Sequence, residues 1–181
     1  HPEYWRLSIG RPSEEAVPLL LCRRVPEHEA RRLARRKRDL YVDFSRGGVV
    51  SVPGVRDFVA ALSRLGIPRA VGTSASRFDL DRLLVGVGLR RHFDVIVTAD
   101  DVMLGKPDPE VYELAAARLR VPPDACIVFE DSLVGVEAAR RAGMRAVGVT
   151  TAHSETELRE AGAERAIADF EGLEWKSLAA G

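Results

Sequence analysis

Apolar and polar positions along the chain follow two rhythms, and the change falls near residue 50. Residues 13 to 46 show only helical spacing, with no strand between the helices. Ser13-Glu14-Glu15 opens one helix, with Ser13 as its expected N-cap. Pro26 to Ala30 opens a longer one that runs to about Phe44 and breaks at Gly47-Gly48. From Val52 onward, helices alternate with short apolar runs. Helices are expected over about Val55 to Leu65, Asp79 to Leu89 and Leu133 to Ala142, the last ended by Gly143. Another begins where Asp108 caps and Pro109 takes the first helical position, with Val111, Leu114, Ala115 and Leu119 on its apolar face. Strands are expected at Ala70 to Gly72, Asp94 to Thr98, Cys126 to Phe129, Ala146 to Val149 and Ala166 to Ala168.

The strands are continuous apolar runs rather than alternating ones, which is the pattern of a parallel sheet covered on both faces. The expected fold class is therefore α/β. Internal repeats and low-complexity segments are absent from the sequence.

Composition narrows the function classes. No apolar run approaches the roughly 18 residues of a membrane-spanning helix, and no secretory leader pattern opens the sequence. Formal net charge is zero, which gives no electrostatic case for nucleic-acid binding. The basic run Arg31 to Arg38 reads as a solvated helix face. Cys22 and Cys126 lie far apart, and Cys126, inside an apolar run, reads as a buried reduced thiol. A cytoplasmic setting is expected. Basic residues comprise 24 Arg against 3 Lys, so Lys37 and Lys106 stand out as places where a compact point charge is wanted.

In open α/β sheets, ligands bind beyond the carboxyl ends of the strands. Thr73, Ser74 and Ser76 follow the first strand. Asp100-Asp101 and Gly105-Lys106-Pro107-Asp108-Pro109 follow the second. Glu130-Asp131-Ser132 follow the third, and Thr150, Thr151 and His153 the fourth. Hydroxyls at a helix start can hold a phosphate, and Lys106 can neutralise it. Two adjacent carboxylates are costly to keep together unless a cation offsets them, and Mg2+ takes hard oxygen ligands, keeping phosphate and water in its shell. Singly, a Thr-Ser after a strand is usually a helix cap, a lysine before proline is usually surface, and an acidic pair before a helix is often dipole complementation; their joint order points to phosphate plus divalent metal.

Gly-Lys-Pro-Asp-Pro-Glu-Val-Tyr at 105–112, followed by Val-Phe-Glu-Asp-Ser-Leu-Val-Gly-Val-Glu-Ala-Ala at 128–139, resembles motifs three and four of the haloacid dehalogenase superfamily. Ala-Val-Gly-Thr-Ser-Ala-Ser-Arg at 70–77 resembles motif two. The nearest subgroup contains beta-phosphoglucomutase and small sugar-phosphate phosphatases. The resemblance implies a Rossmann-like core at 49–181 and a partial helical cap at 1–48. It implies that Thr73, or the adjacent Ser74, binds phosphate and that Lys106 bridges phosphate and nucleophile. It implies that Asp131 ligates Mg2+ assisted by Glu130. Ile9 to Ser13 resembles a cap loop facing substrate, which makes Arg11 a candidate contact. Arg35 to Tyr41 resembles a cap helix that places Lys37 at a second phosphate or the sugar.

One departure matters. The family's first motif, a strand ending in Asp-x-Asp that supplies the nucleophile and the general acid and base, is not found. The only Asp-x-Asp here, Asp79-Leu80-Asp81, lies in a helical pattern. By the resemblance, that first strand sits between the motif-two and motif-four strands, so two strand edges are expected to lack a partner. The leading expectation is a Mg2+-dependent phosphatase or phosphomutase on a small phosphorylated metabolite, a sugar phosphate in substrate class, with this stretch inactive by itself. The alternative is a non-catalytic remnant that binds a phosphometabolite or a protein. A monomer is expected, with self-association if another chain fills the vacant strand position.

Overall fold

The computed structural model describes residues 6, 8–44 and 48–179. The break expected at Gly47 and the exact border between cap and core lie partly outside these residues. Two helices, α1 (Ser13–Leu21) and α2 (Glu27–Phe44), pack on each other. The core then runs α3 (Val55–Arg64), β1 (Ala70–Gly72), α4 (Arg77–Gly86), β2 (Val95–Val97), α5 (Glu110–Leu119), β3 (Ile127–Glu130), α6 (Leu133–Arg141), β4 (Arg145–Val149), α7 (Glu155–Glu160), β5 (Arg165–Ile167) and α8 (Lys176–Ala179). Every strand pairing is parallel. The α/β class and the order of the core elements follow the apolar pattern.

The sheet comes in two pieces among the described residues. β1 pairs with β2, β4 lies between β3 and β5, and no ladder joins β1 to β3. This is where the missing partner was expected. Two helices bridge the halves. From α3, Phe58 and Leu62 pack with Phe129 and Phe170 beside the three-stranded piece, while Val59 packs with Leu80, Leu84 and Ile96 beside the other. The rings of Phe58, Phe129 and Phe170 lie 5.2 to 5.5 Å apart in tilted and edge-on arrangements, the geometries aromatic quadrupoles favour. From α5, Val111, Tyr112, Ala115 and Ala116 enter a second core with Val136, Ala139 and Ala146.

Four local expectations need correction. Ser13 is the first residue of α1 and not its N-cap; Pro12 holds that place, and the Ser13 hydroxyl accepts from Lys37 instead. Pro109 is the N-cap of α5, one residue later than expected, although the Asp108 carboxylate still accepts from the Glu110 amide at 3.0 Å. Tyr112 and Ala116 join the buried face of α5, whereas Leu114 and Leu119 are only partly buried. Cys126 is half-buried rather than buried, because it borders the gap between the sheet pieces. Both cysteines are free, and burial raises the Cys126 thiol.

Asp79-Leu80-Asp81 does lie inside a helix. Ser76 caps α4, its Oγ accepting from the Asp79 amide and donating to the Asp79 carboxylate. Leu80 and Leu84 are buried one turn apart, so this Asp-x-Asp serves the helix start. The arginines of the 31–38 run are exposed, as a solvated face requires. No helix among the described residues is long and apolar enough to cross a membrane.

Candidate functional site

The site assembles at the carboxyl ends of β1 and β3. Lys106 is the element that ties them. Its ammonium donates to the Gly72 carbonyl at 3.3 Å, at the end of β1, and to Glu130 Oε1 at 2.5 Å, at the end of β3. Both side chains are buried, at 5% and 9% exposure, and ions are rarely so buried unless paired. The Tyr112 ring lies 4.7 Å under the ammonium, a cation–π contact, and its hydroxyl donates to the same Glu130 oxygen at 2.9 Å.

Glu130 and Asp131 are neighbours with different environments. Glu130 is internally satisfied: Oε2 accepts from the Asp131 amide, the Ser132 amide and the Ser132 hydroxyl at 2.8 to 3.0 Å. Burial pushes its carboxyl up, but the Lys106 charge and the bonds from Lys106, Ser132 and Tyr112 outweigh that and hold it below its usual value. Among the described residues no cation pairs with Asp131. Burial first, and then the Glu130 charge, raise its carboxyl. Its Oδ2 accepts from the Thr151 hydroxyl at 3.0 Å, and His153 Nδ1 donates to its backbone carbonyl at 2.9 Å. A half-buried carboxylate beside a second negative charge is what a divalent cation relieves. No group of three or more His, Cys, Asp or Glu gathers among the described residues.

Thr73 and Ser74 separate by their bonds. The Ser74 hydroxyl donates to the Gly10 carbonyl at 2.7 Å, tying the loop before α1 to the turn after β1. Thr73 Oγ1 accepts from the Ala75 amide at 3.1 Å, which leaves its own proton aimed away from that amide. The Thr73 amide extends β1 by bonding Val97. Gly10 is glycine for two reasons: φ is +78°, and a Cβ there would stand 2.2 Å from Ser132 Oγ, so the loop before α1 presses on the turn after β3. Ser74→Ala is expected to loosen this contact at a cost of about 1 kcal/mol, one neutral hydrogen bond, read as faster amide exchange at residues 8–12 with the core unchanged.

Arg11 lies in the same loop. Lys37 is on α2, where its ammonium donates to Ser13 Oγ at 3.2 Å, and desolvation lowers its pKa. Arg6, before α1, reaches Glu157 of α7 at 2.5 Å. The Ser154 hydroxyl and amide, then Arg6, hold Glu157 down at about 2. Asp101, also at a strand end, is engaged by Thr98, Arg77 and Arg118 and serves as an internal clamp. Sequence reasoning missed Tyr112 as part of the site and noticed Thr151 and His153 only by position.

Parallel strands, helices on both sides and charged groups at the strand ends make this a Rossmann-like α/β protein. A family model of haloacid dehalogenase-like hydrolases matches residues 14–143. The chain belongs to that family. It is similar to the validoxylamine A 7'-phosphate phosphatase of Streptomyces hygroscopicus subsp. limoneus, 40% identical over 71% of this chain and 60% of that protein. It is also similar to a phosphorylated carbohydrates phosphatase of Thermotoga maritima, 35% identical over 78% of this chain and 66% of that protein. In structure it resembles beta-phosphoglucomutase from Clostridium difficile, with a TM-score of 0.87, 22% identity, and coverage of 99% of this chain and 80% of that one. The chain thus spans about 60% of the length of the first of these relatives.

Proposed function

We propose that this chain carries the phosphate- and magnesium-binding part of a phosphatase or phosphomutase acting on a small phosphorylated metabolite of sugar-like class. The observation that carries the reading is the buried Lys106–Glu130 pair spanning the ends of β1 and β3, with Thr73 on one side and Asp131 on the other. The phosphatase relatives, named for a validoxylamine phosphate and for phosphorylated carbohydrates, support the substrate class.

In this reading Thr73 donates to a phosphate oxygen and Lys106 offsets its charge. Asp131 would hold Mg2+, which supplies charge stabilisation to the phosphoryl group. Glu130 acts by fixing Lys106 and reaches the metal shell at most through water, since Lys106, Tyr112 and the turn after β3 take its oxygens. In this reading Arg11, next to the Gly10 whose carbonyl accepts from Ser74, would contact substrate, and Lys37, which donates to Ser13, would meet a second phosphate or the sugar.

Attack on phosphorus is assigned to an Asp-x-Asp strand that residues 1–181 do not supply. The expected result for this chain with Mg2+ and an aryl phosphate is therefore no turnover above buffer, yet a Tm that rises with inorganic phosphate plus Mg2+ in wild type and not in Asp131→Asn. A longer protein with an in-frame Asp-x-Asp strand upstream is expected to turn over. Robust turnover by the 181-residue chain, lost on Asp131→Asn, would refute the need for that motif. Phosphate binding with no turnover in the longer protein would favour the remnant reading.

A further inference from the structure

Asp100 and Asp101 follow β2 and stand beside the turn 73–77. Negative charge there opposes a phosphate, so the pair is not present to bind one. Its bonds show another use. The Thr73 amide donates to the Val97 carbonyl at 3.0 Å, and Thr73 Oγ1 accepts from the Ala75 amide at 3.1 Å. The Ala75 carbonyl accepts from the Ala99 amide at 3.1 Å. Ala99 opens a single 3₁₀ turn, Ala99–Asp101, which Asp101 closes: its Oδ2 accepts from the Thr98 amide and hydroxyl at 2.9 and 2.8 Å. The same oxygen accepts from the Arg77 guanidinium at 2.6 Å, and Asp100 Oδ2 accepts from the Arg77 amide at 2.9 Å. Thr98 is fully buried, which shields its bonds from competing water. The Thr98 hydroxyl and amide, and after them Arg118 and Arg77, hold the Asp101 carboxyl well below the usual carboxylate range. Asp101 is therefore a fixed anion at neutral pH.

We infer that Asp101 is a positioning residue for phosphate: through Thr98, Ala99 and Arg77 it holds the turn 73–77 in the shape that aims the Thr73 hydroxyl. This rests on the assignment of that turn to phosphate. The turn after β1 hangs from the turn after β2 at Ala75 and at Arg77, on either side of the Ser76 cap. Misplacing a binding group by a fraction of an ångström is enough to lose its bond.

For Asp101→Ala, charge and positioning predict opposite signs. Removing a fixed negative charge beside the turn should tighten anion binding. Releasing the turn should weaken it. The probe is inorganic phosphate with Mg2+ held constant, titrated into the chain and followed by NMR at the Thr73 and Ala75 amides. The affinity is expected to fall roughly fivefold, the loss of one neutral hydrogen bond to phosphate, and both amides are expected to shift before any phosphate is added. Asp101→Asn keeps an oxygen for Thr98 and Arg77 and is expected to restore the wild-type affinity. Arg118→Met separates positioning from stability. Arg118 donates to Asp101 at 3.1 Å and to the Ile96 carbonyl at 3.2 Å, as Arg77 donates to Asp101 and to that same carbonyl, but Arg118 lies on α5 and not on the turn. Its loss is expected to lower Tm with phosphate affinity kept, whereas Arg77→Met loses affinity.

Phosphate binding by Asp101→Ala as tight as wild type, or tighter, would overturn the inference. If Asp101→Ala does not fold, the two arginine variants decide, and equal affinities overturn it. Both results leave the phosphate reading standing. A wild type that binds no phosphate overturns that reading, and the inference with it.

Discussion

Lys106→Met is expected to destabilise the chain by about 3–5 kcal/mol at neutral pH, the cost of stranding one member of a buried ion pair. For a domain of this size that is a fall in Tm on the order of 10 °C. Methionine matches the aliphatic stem and keeps contact with the Tyr112 ring, so the loss isolates the charge. Glu130 would keep its bonds from Tyr112, Asp131 and Ser132 but lose its cation. In the wild type the Glu130 carboxyl sits below its unfolded value of 4.5. Its contribution is therefore fully present above that value and lost as pH falls through the folded one. In the variant, burial is opposed by neutral donors alone, and folding favours the protonated form. The gap between the two proteins should be widest at pH 7 and shrink towards about pH 5. Urea titrations at both pH values check this. A gap that does not change with pH would mean that lost packing, not a stranded charge, is the cause.

The same pair shows what the sequence made legible. Glu130 and Asp131 could be found because they fall at the end of a strand, and Lys106 because it lies in the segment between β2 and α5; strand ends are where an α/β sheet collects its chemistry. Their division of labour could not. Successive residues leaving an extended strand point to opposite sides, so Glu130 turns inward to Lys106 while Asp131 turns towards Thr151. Which does which depends on Lys106 arriving from 24 residues away. Tyr112 was hidden for a related reason: at helical spacing it reads as an ordinary core aromatic, and only the fold aims its hydroxyl at Glu130. Ser74 was read as an alternative to Thr73 because adjacent hydroxyls look alike in sequence; the bond to Gly10, 64 positions away, separates them. The parallel sheet was plain from continuous apolar runs. Its division into two pieces was foreseeable only through the family resemblance, since periodicity reports which residues form strands and not which strands meet.

Gly135→Ala should reverse the usual effect of that substitution. In a helix interior, alanine is favoured over glycine by about 1 kcal/mol, and Gly135 is the third residue of α6. A Cβ there, however, would stand 1.9 Å from Glu130 Oε1 and 2.7 Å from Ser132 Oγ. That oxygen is the one bound by Lys106 and Tyr112. Making room requires moving the carboxylate off both partners or lifting the helix start that Ser132 caps. Disrupting the pair costs about 3–5 kcal/mol, which exceeds the gain in helix propensity, so the net expectation is a loss of about 2–4 kcal/mol. Gly86→Ala is the matched control. It too lies in a helix, with nothing within 4 Å of its Cβ, and is expected to gain a few tenths to about 1 kcal/mol. Chemical denaturation of both variants decides the matter. If Gly135→Ala gains stability as Gly86→Ala does, the Glu130 carboxylate is free to relocate and cannot be what fixes Lys106 at the ends of β1 and β3.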